Sequence, residues 1–124
     1  MSRRMARARE ERHLPLSAAE FEVLIALADG EKHGYAVLKE VARRTGGRVS
    51  LSPATLYTIV RRFAADALLV ESSARPDPAL DDERRRYYRL TEFGRQVAAA
   101  EAERMETALA MARAKNLIRK PRLA

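Results

Sequence analysis

The residues best placed to do chemistry in this chain are closely spaced hydroxyls and cations. Ser52, Thr55, Tyr57, Thr58, Arg61 and Arg62 span about three helical turns with the small Ala54 among them, and Arg84, Arg85 and Arg86 form an unbroken run further on. Donors and guanidiniums at that density suit hydrogen bonding to phosphates and base edges rather than bond breaking. Catalytic sets are missing. His13 and His33 are the only histidines, cysteine is absent, and there is no Gly-rich phosphate loop, nucleophile elbow or zinc spacing. Acids such as Glu101 and Glu103 are expected on a solvated helix among ion-pairing neighbours. No enzymatic activity, cofactor or metal is therefore expected.

Such donors read duplex DNA only if an element slim enough for the major groove presents them. Ser52-Pro53 sets an N-cap serine before a proline at the first helical position, and predicts a helix to about Asp66. Leu56, Ile59, Val60 and Phe63 share one face of it. Ala54, Thr58, Arg61 and Ala65 lie opposite, with Tyr57 and Arg62 on the flanks. On that outward face Arg61 and Arg62 would reach phosphates or a guanine edge, and Tyr57 would donate to a phosphate. The helix start, Ser52 to Thr55, adds backbone N–H groups and a positive dipole end. Blander readings exist: a solvated face for Arg61 and Arg62, pairing of the arginine run with Asp81, Asp82 and Glu83, and packing roles for Tyr57 and Tyr35. The DNA reading is preferred because the features fall on one predicted surface.

The other elements frame that helix. Met1 to His13 is arginine-rich and reads as a mobile arm or frayed helix. Ser17-Ala18-Ala19-Glu20 is a capping box that opens a helix from about Ala18 to Ala28. Its stripe Phe21, Leu24, Ile25 and Ala28 is assigned to the domain core, and Val23 and Leu27 to a spare face needing another cover. After Asp29-Gly30, a helix from Tyr35 to about Thr45 buries Val37, Leu38 and Val41 and turns Lys39, Arg43 and Arg44 outward; Tyr35 and Lys39 are assigned to the DNA-facing surface. Leu68 to Ser73 and Arg85 to Leu90 read as two strands of a hairpin broken by Arg75-Pro76-Asp77-Pro78, with Arg84 to Arg86 at the wing's base, near flanking backbone or minor groove. Thr91 caps a long helix from Glu92 to roughly Lys115 or beyond. The fold class is mainly α with a small β-hairpin: a winged helix-turn-helix followed by a long C-terminal dimerisation helix.

His33-Gly34-Tyr35, Ser52-Pro53-Ala54-Thr55-Leu56-Tyr57 and Asp82-Glu83-Arg84-Arg85-Arg86-Tyr87-Tyr88-Arg89-Leu90-Thr91-Glu92-Phe93-Gly94-Arg95, in this order, resemble the PadR family of transcriptional regulators over about Leu16 to Arg113. The resemblance implies a winged helix, a C-terminal helix that dimerises, and repression through a near-palindromic operator. It also implies, for many members, release of DNA by a small molecule or stress signal, so an effector of unknown identity is one partner it allows. The single terminal helix is like that of the short members. Some of these hold flat drugs between tryptophans, a mode not carried over because tryptophan is absent. The family favours Gly where this chain has Ala54 and Ala67. If position 67 were left-handed, Ala would cost on the order of 1 kcal/mol, so a slightly different helix end is expected there.

Ala98, Ala102, Met105, Leu109 and Ala112 repeat at four, three, four and three residues, a short heptad pattern. A single apolar stripe usually packs on its own domain. Here Phe93, Val97 and Ala100 already supply a stripe for the domain. The five positions, with Val23 and Leu27, are therefore assigned to a homodimer interface. Dimerisation would set two reading helices in successive major grooves about 34 Å apart.

The 124 residues divide into an arm at 1–13, a winged-helix domain at 14–91 and a dimerisation helix with basic tail at 92–124. A net charge of +7 and a pI near 10.4 suit a polyanionic partner. Absence of cysteine excludes disulfides and thiolate chemistry and is compatible with the expected cytoplasmic location; no run is long and apolar enough to span a membrane, and none is expected as a partner. Two alternatives remain beside the DNA regulator: a basic winged helix that binds RNA, and a protein-interaction module without operator specificity. Aromatics at 6%, mostly assigned to the core, argue against an RNA stacking platform.

Overall fold

The computed structural model describes residues 3–72 and 86–119. Their order is α1 (Arg3–Glu11), α2 (Ala18–Leu27), β1 (Lys32–His33), α3 (Gly34–Thr45), α4 (Pro53–Ala65), β2 (Leu69–Ser72), β3 (Tyr87–Leu90) and α5 (Glu92–Ala114). Each expected cap is made. Ser17 Oγ accepts the Glu20 N–H at 3.1 Å while Glu20 Oε1 accepts the Ser17 N–H at 2.7 Å. Ser52 Oγ accepts from Thr55 N at 3.0 Å, and Thr91 Oγ1 from Gly94 N at 2.9 Å. These contacts satisfy orphan donors of the first turn, so the helix starts are encoded locally.

The core lies where α2, α3, α4 and the N-terminal part of α5 meet the sheet. Leu56, Ile59, Val60 and Phe63 of α4 are buried as their spacing predicts, with Val37 and Val41 of α3 and Val97 of α5. The face of α2 differs from expectation. Val23 and Leu27, assigned to a dimer interface, are 0% and 1% exposed in the single chain. Phe21 and Ile25 are the half-buried pair. The helix is apolar on nearly every side, so periodicity gave it no direction, and α3, β3 and α5 all pack against it.

The hairpin is part of a three-stranded antiparallel sheet of order β1-β3-β2. Leu69 faces Leu90 and Ser72 faces Tyr87, while the two-residue β1 pairs His33 with Tyr87 on the other edge. Position 33 therefore ends a strand. Its Nδ1 also accepts the Tyr35 N–H at 3.0 Å, which makes His33 the N-cap of α3.

At the end of α4 the chain turns through Ala67 with φ +63°, so the position is left-handed despite its side chain, against the expectation of a different helix end. Leu68 N donates to Phe63 O at 2.8 Å and Ala67 N to Ala64 O at 3.2 Å. This is a Schellman closure with alanine where glycine is favoured. It delivers Leu68 against α5. There Thr91 Oγ1 donates to Ala67 O at 2.6 Å, and a Cβ on Gly94 would stand 1.8 Å from the Leu68 carbonyl oxygen. Only glycine lets the two backbones come this close.

Where an arm or frayed helix is expected, α1 forms a regular helix and lies along α5. Arg9 sits over the Phe93 ring at 4.6 Å, and His13 meets the same ring edge-on at 5.6 Å. Glu101, expected on a solvated face, is 1% exposed. Its Oε1 accepts the Leu16 N–H at 2.5 Å and its Oε2 the Arg104 Nε–H at 2.6 Å. The carboxylate thus ties the segment entering α2 to α5. Beyond it, residues 102–111 are exposed on every side. No helix among the described residues is long and apolar enough to cross a membrane.

Candidate nucleic-acid interface

The outward face of α4 carries Ala54, Thr55, Tyr57, Thr58, Arg61 and Arg62, all exposed, directly opposite the buried Leu56, Ile59, Val60 and Phe63. The amphipathic period thus does two jobs: one face anchors the helix in the core and the other stands free of the domain. Hydroxyls along it are pre-set by local bonds. Ser52 Oγ donates to Thr55 Oγ1 at 2.9 Å, and Thr58 Oγ1 donates to Ala54 O at 3.1 Å.

The two arginines of α4 are not equivalent. Arg61 lies over the Tyr57 ring at 5.4 Å, and no carboxylate among the described residues pairs with it. Arg62 turns back to α2 and pairs with Glu20 Oε2. Arg86 is also engaged. Its guanidinium lies 2.8 Å from Glu71 Oε1, and that carboxylate holds it firmly in the charged form. Arg84 and Arg85, with the acids before them, lie outside the described residues.

Tyr35 is 48% exposed and stacks in parallel on the His33 ring at 5.7 Å, while Lys39 is exposed one turn further along α3. Tyr35, Tyr57 and Arg86, predicted separately from three elements, come together around a cavity of about 270 Å³ between α3, α4 and β3. Tyr88 lines its inner side; burial, with the Glu71 carboxylate adding to it, pushes its phenol above the ordinary value.

Of the residues assigned to dimerisation, Ala102, Met105 and Leu109 are exposed. Ala112 is half-buried, and Ala98 packs partly on the domain's own core. Sequence reasoning missed Glu20 and Glu71 as partners of Arg62 and Arg86. Glu20 is visible as the third residue of a capping box, which uses only one of its oxygens. Glu71 lies opposite Tyr88 across the β2–β3 pair and becomes a partner of Arg86 only once the register is known.

α4 thus presents an exposed face of hydroxyls and arginines braced by a three-stranded sheet, the arrangement of a winged helix. Known proteins resemble the chain in sequence and share its fold. Over 95 residues the chain is 35% identical to the transcriptional regulator Rv3488 of Mycobacterium tuberculosis, covering 77% of this chain and 82% of that protein. A transcriptional regulator from Clostridium thermocellum, Cth-833, has the same fold, with a TM-score of 0.64 at 19% identity over 91% of this chain and 95% of that one. Bacillus subtilis PadR, solved in complex with operator DNA, superposes with a TM-score of 0.59 at 17% identity, over 89% of this chain and 52% of the longer protein. Residues 23–100 match the transcriptional regulator PadR-like family, and with the exposed reading helix, the sheet and the long terminal helix in place, the chain belongs to that family.

Proposed function

We propose that the protein is a sequence-specific, double-stranded-DNA-binding regulator that acts as a homodimer and represses by occupying a near-palindromic site. The observation that carries this reading is the outward face of α4, where Ala54 and Thr58 permit close approach and Arg61 pairs with no carboxylate among the described residues. Arg61 would reach a phosphate or a guanine edge, and Tyr57 beneath it a phosphate. Lys39 and Tyr35 extend the same surface along α3. The operator complex of Bacillus subtilis PadR supports DNA as the partner, since that protein shares this fold.

The dimer is supported by α5. Met105 and Leu109 are 48% and 44% exposed, at heptad spacing with Ala102 and Ala112, on a stretch the chain itself leaves uncovered. Ile25, half-buried on α2, replaces Val23 and Leu27 as that helix's contribution. A change in the angle between subunits would alter the spacing of the two α4 helices, the route open to a small-molecule effector.

Fluorescence anisotropy with the chain's own upstream promoter region, a scrambled duplex and a folded RNA at equal salt tests the reading, together with the mass in solution by light scattering. Tighter binding to the promoter by a dimer is expected, and Leu109→Glu should give a monomer with much weaker DNA binding. Equal affinity for RNA or for the scrambled duplex, or a wild-type monomer at micromolar concentration, would overturn it.

A further inference from the structure

We infer that the cavity between α3, α4 and β3 is a binding site for a small, flat, uncharged ring compound, and that its occupation and DNA binding exclude one another. The second half rests on the DNA reading above; the first does not.

The cavity's size and lining set the ligand class. About 270 Å³ falls just below the range of about 300–1,000 Å³ typical of drug-sized sites, so it suits one or two fused rings. Its apolar lining comes from Leu38, Pro53 and Leu56, and three of the chain's four tyrosines, Tyr35, Tyr57 and Tyr88, supply ring faces and hydroxyls. Aromatic walls favour a planar guest through offset stacking. Among the described residues lining the cavity Arg86 is the one cation, and it lies 2.8 Å from Glu71 Oε1. The Glu71 carboxylate offsets that charge, so an anionic guest gains less from Arg86 than it loses on leaving water, and an uncharged one is favoured.

Space is left open by a missing side chain. Gly34 borders the cavity, and a Cβ built on it would lie 3.6 Å from both Leu56 Cδ2 and Tyr88 Cε2, in ordinary contact. The backbone at Gly34 has no left-handed φ to strain. Alanine would therefore fit the fold and occupy part of the cavity. Exclusion of DNA follows from the rim. Tyr35 and Tyr57, exposed by 48% and 45%, are both cavity walls and members of the DNA-facing surface. A ring held between them would stand where the duplex must approach.

The test uses the full chain carrying ¹³C-labelled leucine methyls, with 2-naphthol and 2-naphthoate as uncharged and anionic forms of one ring system. Naphthol should shift the Leu38 and Leu56 methyls saturably, while Leu109 stays unchanged. Naphthoate should bind about tenfold more weakly. Gly34→Ala should cost naphthol about tenfold in affinity with the buried Leu24 methyl undisturbed, and Leu38→Phe, read at Leu56, should do the same. At ten times its Kd, naphthol should weaken promoter binding about tenfold, as mutually exclusive ligands do. No saturable shift at Leu56, naphthoate binding as tightly as naphthol, or full naphthol affinity in both variants would overturn the ligand site. Undiminished promoter affinity at saturating naphthol would overturn the exclusion alone. A chain that takes naphthol but binds no duplex would overturn the DNA reading and the exclusion with it, and would leave the ligand site standing.

Discussion

The carboxylate of Glu20 bonds in two directions at once: Oε1 accepts the Ser17 N–H that opens α2, and Oε2 pairs with Arg62 on α4. One acidic residue thus sets the start of one helix and fixes a cation of the next, and it separates two neighbouring arginines by role. Arg61 pairs with no carboxylate among the described residues and is the one proposed to meet DNA, whereas Arg62 ties α4 to α2.

In a salt titration of promoter binding, Arg61→Ala should weaken affinity by about 1–3 kcal/mol if it meets a base and reduce the salt slope by about 1 if it meets a phosphate. Arg62→Ala should leave the salt slope nearly unchanged. Its cost should appear instead in urea unfolding, at no more than about 1 kcal/mol because the side chain is more than half exposed. Equal effects of the two variants on the slope would contradict the division of roles.

Ala67→Gly should stabilise the protein. The position is left-handed at φ +63°, and an alanine there carries a Cβ penalty on the order of 1 kcal/mol that glycine avoids, partly offset by glycine's greater freedom when unfolded. Chemical denaturation should show a higher midpoint with an unchanged slope. A lower midpoint would show that the turn is not strained by its side chain.

Gly94→Ala should do the reverse, and strongly. The added methyl would collide with the backbone carbonyl of Leu68 rather than with a side chain that can move aside. Separating α5 from the α4–β2 turn should cost about 3 kcal/mol or more, read as a fall in the thermal midpoint. A near-wild-type midpoint would mean the two backbones are not in contact.

Glu101→Ala should leave the Leu16 N–H buried without its acceptor and cost about 2–3 kcal/mol. Glu101→Gln, which keeps an oxygen for that N–H but loses the charge facing Arg104, should cost less. Hydrogen exchange at Leu16 provides a local check: it should accelerate in the alanine variant well before global unfolding. Unchanged exchange would remove Glu101 from that role.

Much of this architecture could be read from residues, and the reasons for the rest are physical. Helix starts at Ser17, Ser52 and Thr91 were legible because a cap is built from residues three apart. The buried face of α4 was legible because polar and apolar positions alternate cleanly around it. The face of α2 was not, since Val23, Leu24, Ala26 and Leu27 form a nearly continuous apolar run. A strand of two residues, Lys32–His33, is too short to show a period. Glu101 follows Val97 by one helical turn, in phase with the core, but a carboxylate signals surface until the N–H it must satisfy, 85 residues away, is in place. At the site, the residue types on α4 were foreseen. Their electrostatic state depended on Glu20 and Glu71, partners supplied only by the folded chain.

Past Thr107, the last α5 residue to share a pocket with α1, the helix runs on exposed, and helical phase relates the azimuths of Met105 and Leu109 to the part of α5 held by the core. Two residues spliced in after Glu101 would swing both by about 200°, away from any mate they now face, while seven would return them to within about 20° at roughly 10 Å greater reach. Length changes in this segment are therefore quantised: only insertions near whole heptads keep Met105 and Leu109 on the side of α5 they occupy now.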